Sequence, residues 1–132
     1  MLGRKDFTQD EIDAGKRAVK RALDTLDTLP KTAQSTLQQG GYFNDLALGL
    51  DRRYVHRLRG VTGKDGTPLN ELELLVESLM NNDGVLRGNN VVKYAAEKTV
   101  VGLKVGDRIT LSRDDFDRLS SGVFAELEQK YR

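Results

Sequence analysis

The sequence predicts a mainly helical domain with a small antiparallel β element: an α+β arrangement of about four bundled helices, with a hairpin around residues 85–111. Three observations predict it. Apolar residues recur at spacings of three and four in successive segments, which is the helical period. Those segments open on capping residues and close on Gly, Pro or Asn. Between residues 85 and 111 the pattern changes to short β-branched clusters separated by glycines.

The first helix starts at Thr8-Gln9-Asp10-Glu11, a capping box. The Thr8 hydroxyl can accept the free N–H at N3, and the Glu11 carboxylate can reach back to the Thr8 N–H. Ile12, Gly15, Val19, Ala22, Leu23 and Leu26 form its apolar stripe, with Lys16, Arg17, Lys20 and Arg21 on the other faces. Pro30 ends it, because a residue before proline is pushed out of the α region. Lys31 to Gln39 reads as a short, weak helix stopped by Gly40-Gly41. Phe43, Leu46, Ala47, Leu50, Tyr54 and Leu58 then carry a stronger helix, closed by Gly60.

Gly60 to Pro68 is the clearest loop in the chain, and Thr67 with Pro68 supplies an N-cap followed by N1. The helix behind it runs to about Asn82. Leu69, Leu72, Leu75, Val76, Leu79 and Met80 are its apolar positions, and Glu71, Glu73 and Glu77 are expected to point outward. In the β region Lys104-Val105-Gly106-Asp107 is the expected turn, and Tyr94–Lys98 is compatible with either strand or helical turn. Ser112 caps the last helix, with Asp114 and Asp115 complementing the positive end of its dipole and Phe116, Leu119, Val123, Leu127 and Tyr131 as its stripe. Gly15, Gly49 and Gly122 fall inside helices, where each costs up to about 1 kcal/mol against Ala; close approach of a neighbouring element is the expected reason. Core positions are expected at Ile12, Val19, Leu23, Leu26, Phe43, Leu46, Leu50, Leu72, Leu75, Leu79, Ile109, Phe116, Leu119 and Val123.

Composition narrows the function classes. The chain has 132 residues, 38% hydrophobic and 31% charged, and reads as a single domain over 1–132. With no cysteine it has no disulfide framework, thiolate nucleophile or Cys-based zinc site, and a reducing cytoplasm is the expected location. The start leads into no apolar run, so neither a signal peptide nor a membrane span is expected. The formal net charge is +1, divided unevenly: residues 1–64 carry 12 Lys/Arg against 8 Asp/Glu.

The basic run Arg52, Arg53, His56, Arg57 and Arg59, with Lys64 in the loop beyond it, is the most suggestive feature. Arginine forks bind phosphate, and a row along a helix can follow a nucleic-acid backbone. Cations late in a helix also simply complement its negative end. His56 is the lone imidazole; no Gly-x-Ser-x-Gly elbow accompanies it, and a solvated basic face explains it better than catalysis. The glycines at 60–66 fit neither the P-loop nor the dinucleotide fingerprint, so a connecting loop is expected. No metal or cofactor is expected. The reading is therefore a non-catalytic cytoplasmic module that binds a protein partner or a second copy of itself. The alternatives are a nucleic-acid-binding protein using the basic helix at 52–59, or an enzyme on a small anionic substrate with His56 and Lys64 beside it.

Overall fold

The computed structural model describes residues 6–55, 67–87 and 99–132, and in these the chain is mainly helical. Five helices follow one another among the described residues: α1 (Gln9–Asp27), α2 (Lys31–Gln39), α3 (Tyr42–Arg53), α4 (Pro68–Asn81) and α5 (Arg113–Lys130). None is long and apolar enough to cross a membrane.

Local chemistry sets the helix limits. The Thr8 capping box forms as expected, with Glu11 N–H on Thr8 Oγ1 at 3.2 Å and Thr8 N–H on Glu11 Oε1 at 3.0 Å. Ser112 and Asp115 make the same reciprocal pair at the start of α5. Thr67 caps α4 with Asn70 as its partner and Pro68 in the first turn. Gly41 takes a left-handed φ of 90°, a conformation open to glycine, and so turns the chain from α2 into α3. The helix expected to continue through Leu58 gives way at Tyr54, the C-cap of α3; Leu58 and Gly60 lie outside the described residues.

α5 packs against α4, α1 and α3, and α4 also packs on α3. α1 and α5 run antiparallel, since the start of α1 meets the end of α5 through Gln9 and Glu128 and its end meets the start of α5 through Asp27 and Arg113. Most expected core positions are buried; Val19, Leu46 and Leu79 are only partly so. Tyr54 is wedged between Phe7 and Phe124, ring edges to faces at 5.2 and 6.0 Å, and its hydroxyl donates to the Glu11 carbonyl at 2.8 Å. Gly15 makes room for it: a Cβ there would sit 1.8 Å from the Tyr54 oxygen. A Cβ on Gly122 would sit 3.1 Å from Pro68, so this glycine also marks close approach. Gly49 does not, as nothing lies within 4 Å of its Cβ position.

Two expectations need correction. The acidic residues of α4 do not all face outward: Glu71 is buried, while Glu73 and Glu77 are half-buried. α4 is covered by α3, by α5 and by the chain at 99–100, which leaves it little solvent face. Glu71 accepts the Val100 N–H at 2.9 Å and the Thr99 hydroxyl, so its carboxylate ties that chain to the helix.

The antiparallel sheet expected over 85–111 is also absent among the described residues, where a single antiparallel bridge joins Val85 to Arg108. The turn at 104–107 does form, with Asp107 N–H on the Lys104 carbonyl at 2.9 Å and Gly106 at φ 98°. Its flanks do not pair with each other. Asn44 of α3 instead donates to the Ile109 carbonyl at 2.9 Å and accepts the Leu111 N–H at 3.0 Å, doing with one side-chain amide what a neighbouring strand would do. Arg118 holds the Val100 carbonyl in the same manner. Main-chain bonds tie this strand-like segment to residues 84–86, with Ile109 N–H on the Gly84 carbonyl at 2.7 Å and Leu86 N–H on the Asp107 carbonyl at 2.8 Å, and side chains of three helices take other groups that a sheet would pair. Residues 88–98, including the Tyr94–Lys98 segment, lie outside the described residues.

Candidate functional site

Arg52 and Arg53 occupy the last turn of α3, both exposed, where their charge complements the negative end of the helix. His56, Arg57, Arg59 and Lys64 lie outside the described residues. The lysines of α1 have acidic partners. Lys16 Nζ is 2.9 Å from Glu128 Oε1, and Lys20 Nζ is 2.7 Å from Asp24 Oδ2. Arg17 and Arg21 are exposed. Among the described residues no group of three or more His, Asp or Glu side chains is placed to hold a metal ion.

A well-formed concavity lies elsewhere among the described residues. An open groove of about 450 Å³ lies between α1 and α5. Val19 and Leu23 of α1 and Phe124 and Ala125 of α5 supply its apolar surface. Lys16, Lys20 and Asp24 stand on one rim, and Asp117, Ser121 and Glu128 on the other. Each helix has apolar residues to spare beyond its inner stripe. On α5 the stripe Phe116, Leu119, Val123, Leu127 faces the core, and Phe124, one position further round, widens it toward α1. Val19 does the same on α1.

Two ion pairs cross the groove, one near each end. Lys16 reaches Glu128, whose other oxygen accepts from Gln9 at 3.0 Å. Arg113 grips Asp27 through Nε at 3.2 Å and Nη2 at 2.9 Å, a two-point fork. The hydrogen bonds from Lys16 and Gln9 hold the Glu128 carboxyl below its ordinary pKa, and the bond to Asp24 lifts that of Lys20. Asp117 is exposed on the α5 rim and forms no ion pair among the described residues. The buried Ser120 hydroxyl donates to the Asp117 main-chain carbonyl at 3.2 Å, a bond within its own helix that leaves it unactivated as a nucleophile.

The apolar pattern of the sequence places Val19 and Leu23 in the core and gives Phe124 no part. The available signal was Phe124 lying beside Val123: two adjacent large apolar residues on one helix face different neighbours. A smaller hollow of about 160 Å³ lies between α1 and α3, with Ala18, Gly49 and Phe116 in its wall and Arg53 at its edge. It accounts for the empty space beside Gly49. Comparison of the chain with protein-family models, curated proteins and solved structures finds no match.

Proposed function

We propose that this chain is a non-catalytic binding module whose α1/α5 groove takes a segment of a protein partner. The observation that supports the reading is the groove itself: an apolar floor of Val19, Leu23, Phe124 and Ala125, charged rims on both helices, and an open side toward solvent. Small-molecule sites of comparable volume usually envelop most of their ligand. An open trough between two antiparallel helices suits a linear segment that inserts a few apolar side chains and leaves its other face in water. Its rims then decide orientation and partner choice more than affinity.

The test is site-specific photocrosslinking in the source cells. A benzophenone amino acid at Ser121, exposed on the groove rim, is expected to give a discrete protein adduct. The same group at Ser35, exposed on α2, is expected to give none. Equal labelling from both positions, or none from either, overturns the reading. Exposure of Arg52 and Arg53 supports nucleic acid as a second reading. It requires oligonucleotide binding that weakens with salt and disappears in an Arg52→Glu/Arg53→Glu variant.

A further inference from the structure

Resting on that reading of the groove, we propose that its occupant is a protein segment with apolar anchors and one basic side chain, the latter received by Asp117. The charge inventory of the groove points there. Every cation around it already has an acid from this chain: Lys16 has Glu128 at 2.9 Å, Lys20 has Asp24 at 2.7 Å, and Arg113 has Asp27 at 2.9 Å. Asp117 is the groove carboxylate that forms no ion pair among the described residues, and it is exposed on the α5 rim one turn from the Arg113 end. The charge left to a partner is therefore one negative group above an apolar floor of Val19, Leu23 and Phe124. An acidic segment meets repulsion here, and a purely apolar one leaves the carboxylate to lose water without a counter-charge.

Size sets the length of the segment. Lys16 and Asp27, which anchor the two crossing ion pairs, are about 16 Å apart along α1 at 1.5 Å per residue. That span takes roughly three helical turns, with anchors three, four and seven residues apart, or about five residues of extended chain. A basic residue on the flank of such anchors falls beside Asp117. It fixes the direction in which the segment lies, because α5 offers no second unpaired acid on this rim among the described residues.

The experiment is selection of a random peptide library, displayed on phage, against three folded forms of the chain: the unaltered protein, Asp117→Lys and Ser121→Trp. Both substitutions are at exposed positions, and circular dichroism confirms that each variant retains its helices. Peptides enriched on the unaltered protein are expected to carry paired apolar residues and a Lys or Arg. Their affinity is expected to fall by about tenfold on Asp117→Lys, as removal of a close charge pair predicts. Selection on Asp117→Lys is expected to favour Asp or Glu in place of the basic residue. Peptides that lose binding on Ser121→Trp yet ignore Asp117→Lys overturn this inference and leave the groove as the docking site. Peptides that bind all three forms alike, or no enrichment at all, overturn the inference and the groove reading together.

Discussion

α1 has two edges, and they are built on opposite plans. Toward α3, Gly15 lets the Tyr54 ring lie against the helix backbone, and the ring closes the gap by donating to the Glu11 carbonyl at 2.8 Å. Toward α5, where the neighbouring positions are Lys16, Lys20 and Asp24, the side chains are long and charged and the gap stays open. A glycine brings an aromatic ring within hydrogen-bonding reach of the main chain. Lysines do the reverse: their heads stay in water, so Lys20 pairs with Asp24 along the rim and Lys16 bridges to Glu128 on the far helix only at its tip. One edge is a seam and the other a groove because of residues adjacent in sequence. A closely packed contact and an open concavity thus lie on different edges of the same helix.

The largest effect should come from forcing the closed edge open. In Gly15→Ala the new Cβ meets Tyr54, which has nowhere to go because Phe7 and Phe124 hold its ring. Alanine gains about 1 kcal/mol of helix propensity, and overpacking costs more; a net loss of about 2–3 kcal/mol is expected in urea denaturation. Unchanged stability would mean that Tyr54 swings freely, and the contrast between the edges would collapse. Next comes the seam between α4 and α5. The buried Glu126 accepts the Leu69 N–H at 3.0 Å, capping α4 from a neighbouring helix. In Glu126→Leu that N–H is stranded in the interior, and about 1–3 kcal/mol should be lost. A loss that small substitutions on the groove rim such as Ser121→Ala matched would erase the distinction, since exposed positions usually change stability by less than about 0.5 kcal/mol.

What could be read in advance follows the same division. Capping boxes are local, and Thr8 with Glu11, Thr67 with Pro68, and Ser112 with Asp115 all marked real helix starts. Apolar stripes are local too, so the inner faces of α1, α3 and α5 were legible. What failed depended on contacts distant in sequence. Ile109 and Leu111 have the composition of a strand, but Asn44, far back in the chain, takes the Ile109 carbonyl and the Leu111 N–H, two groups a neighbouring strand would otherwise pair. Glu71 looked solvent-facing until Thr99 and Val100 folded over it. The groove was hidden for a related reason. Val19 and Leu23 satisfy the pattern of core residues, and no periodicity says whether two stripes meet fully or stop short of each other. The basic run drew attention because its charges are consecutive, whereas the groove charges Lys16, Asp117 and Glu128 are scattered along the chain.

The smallest expected effect separates the two kinds of carboxylate by the sign of their pH dependence. Glu73 on α4 is half-buried, and its Oε2 is buried with no hydrogen-bond partner. Burial, then the negative charges of Asp51 and Glu77, raise its pKa. Folded protein therefore holds this proton at pH values where the unfolded chain has released it, so stability falls as pH rises from the ordinary carboxylate value through the raised one. Glu73→Gln removes that dependence, and the variant should be more stable than the parent by about 0.5–1 kcal/mol near pH 7.5, an orphaned polar group's cost discounted for partial exposure. The gain should fade as pH drops to about 4.5. Glu128, on the groove rim, titrates the other way. Its pKa is lowered by Lys16 and Gln9, so its contribution is present above the ordinary carboxylate value and disappears as pH falls through the lowered one. Being a surface pair it should also weaken with salt, whereas the Glu73 effect, arising first from burial, should not. Thermal melts of Glu73→Gln, Glu128→Gln and the parent, from below the ordinary carboxylate value up to about pH 7.5 and at low and high salt, give the comparison. If both variants changed with pH in the same direction, the groove rim and the packed interior would be electrostatically alike, and the division between the two edges of α1 would be one of shape alone.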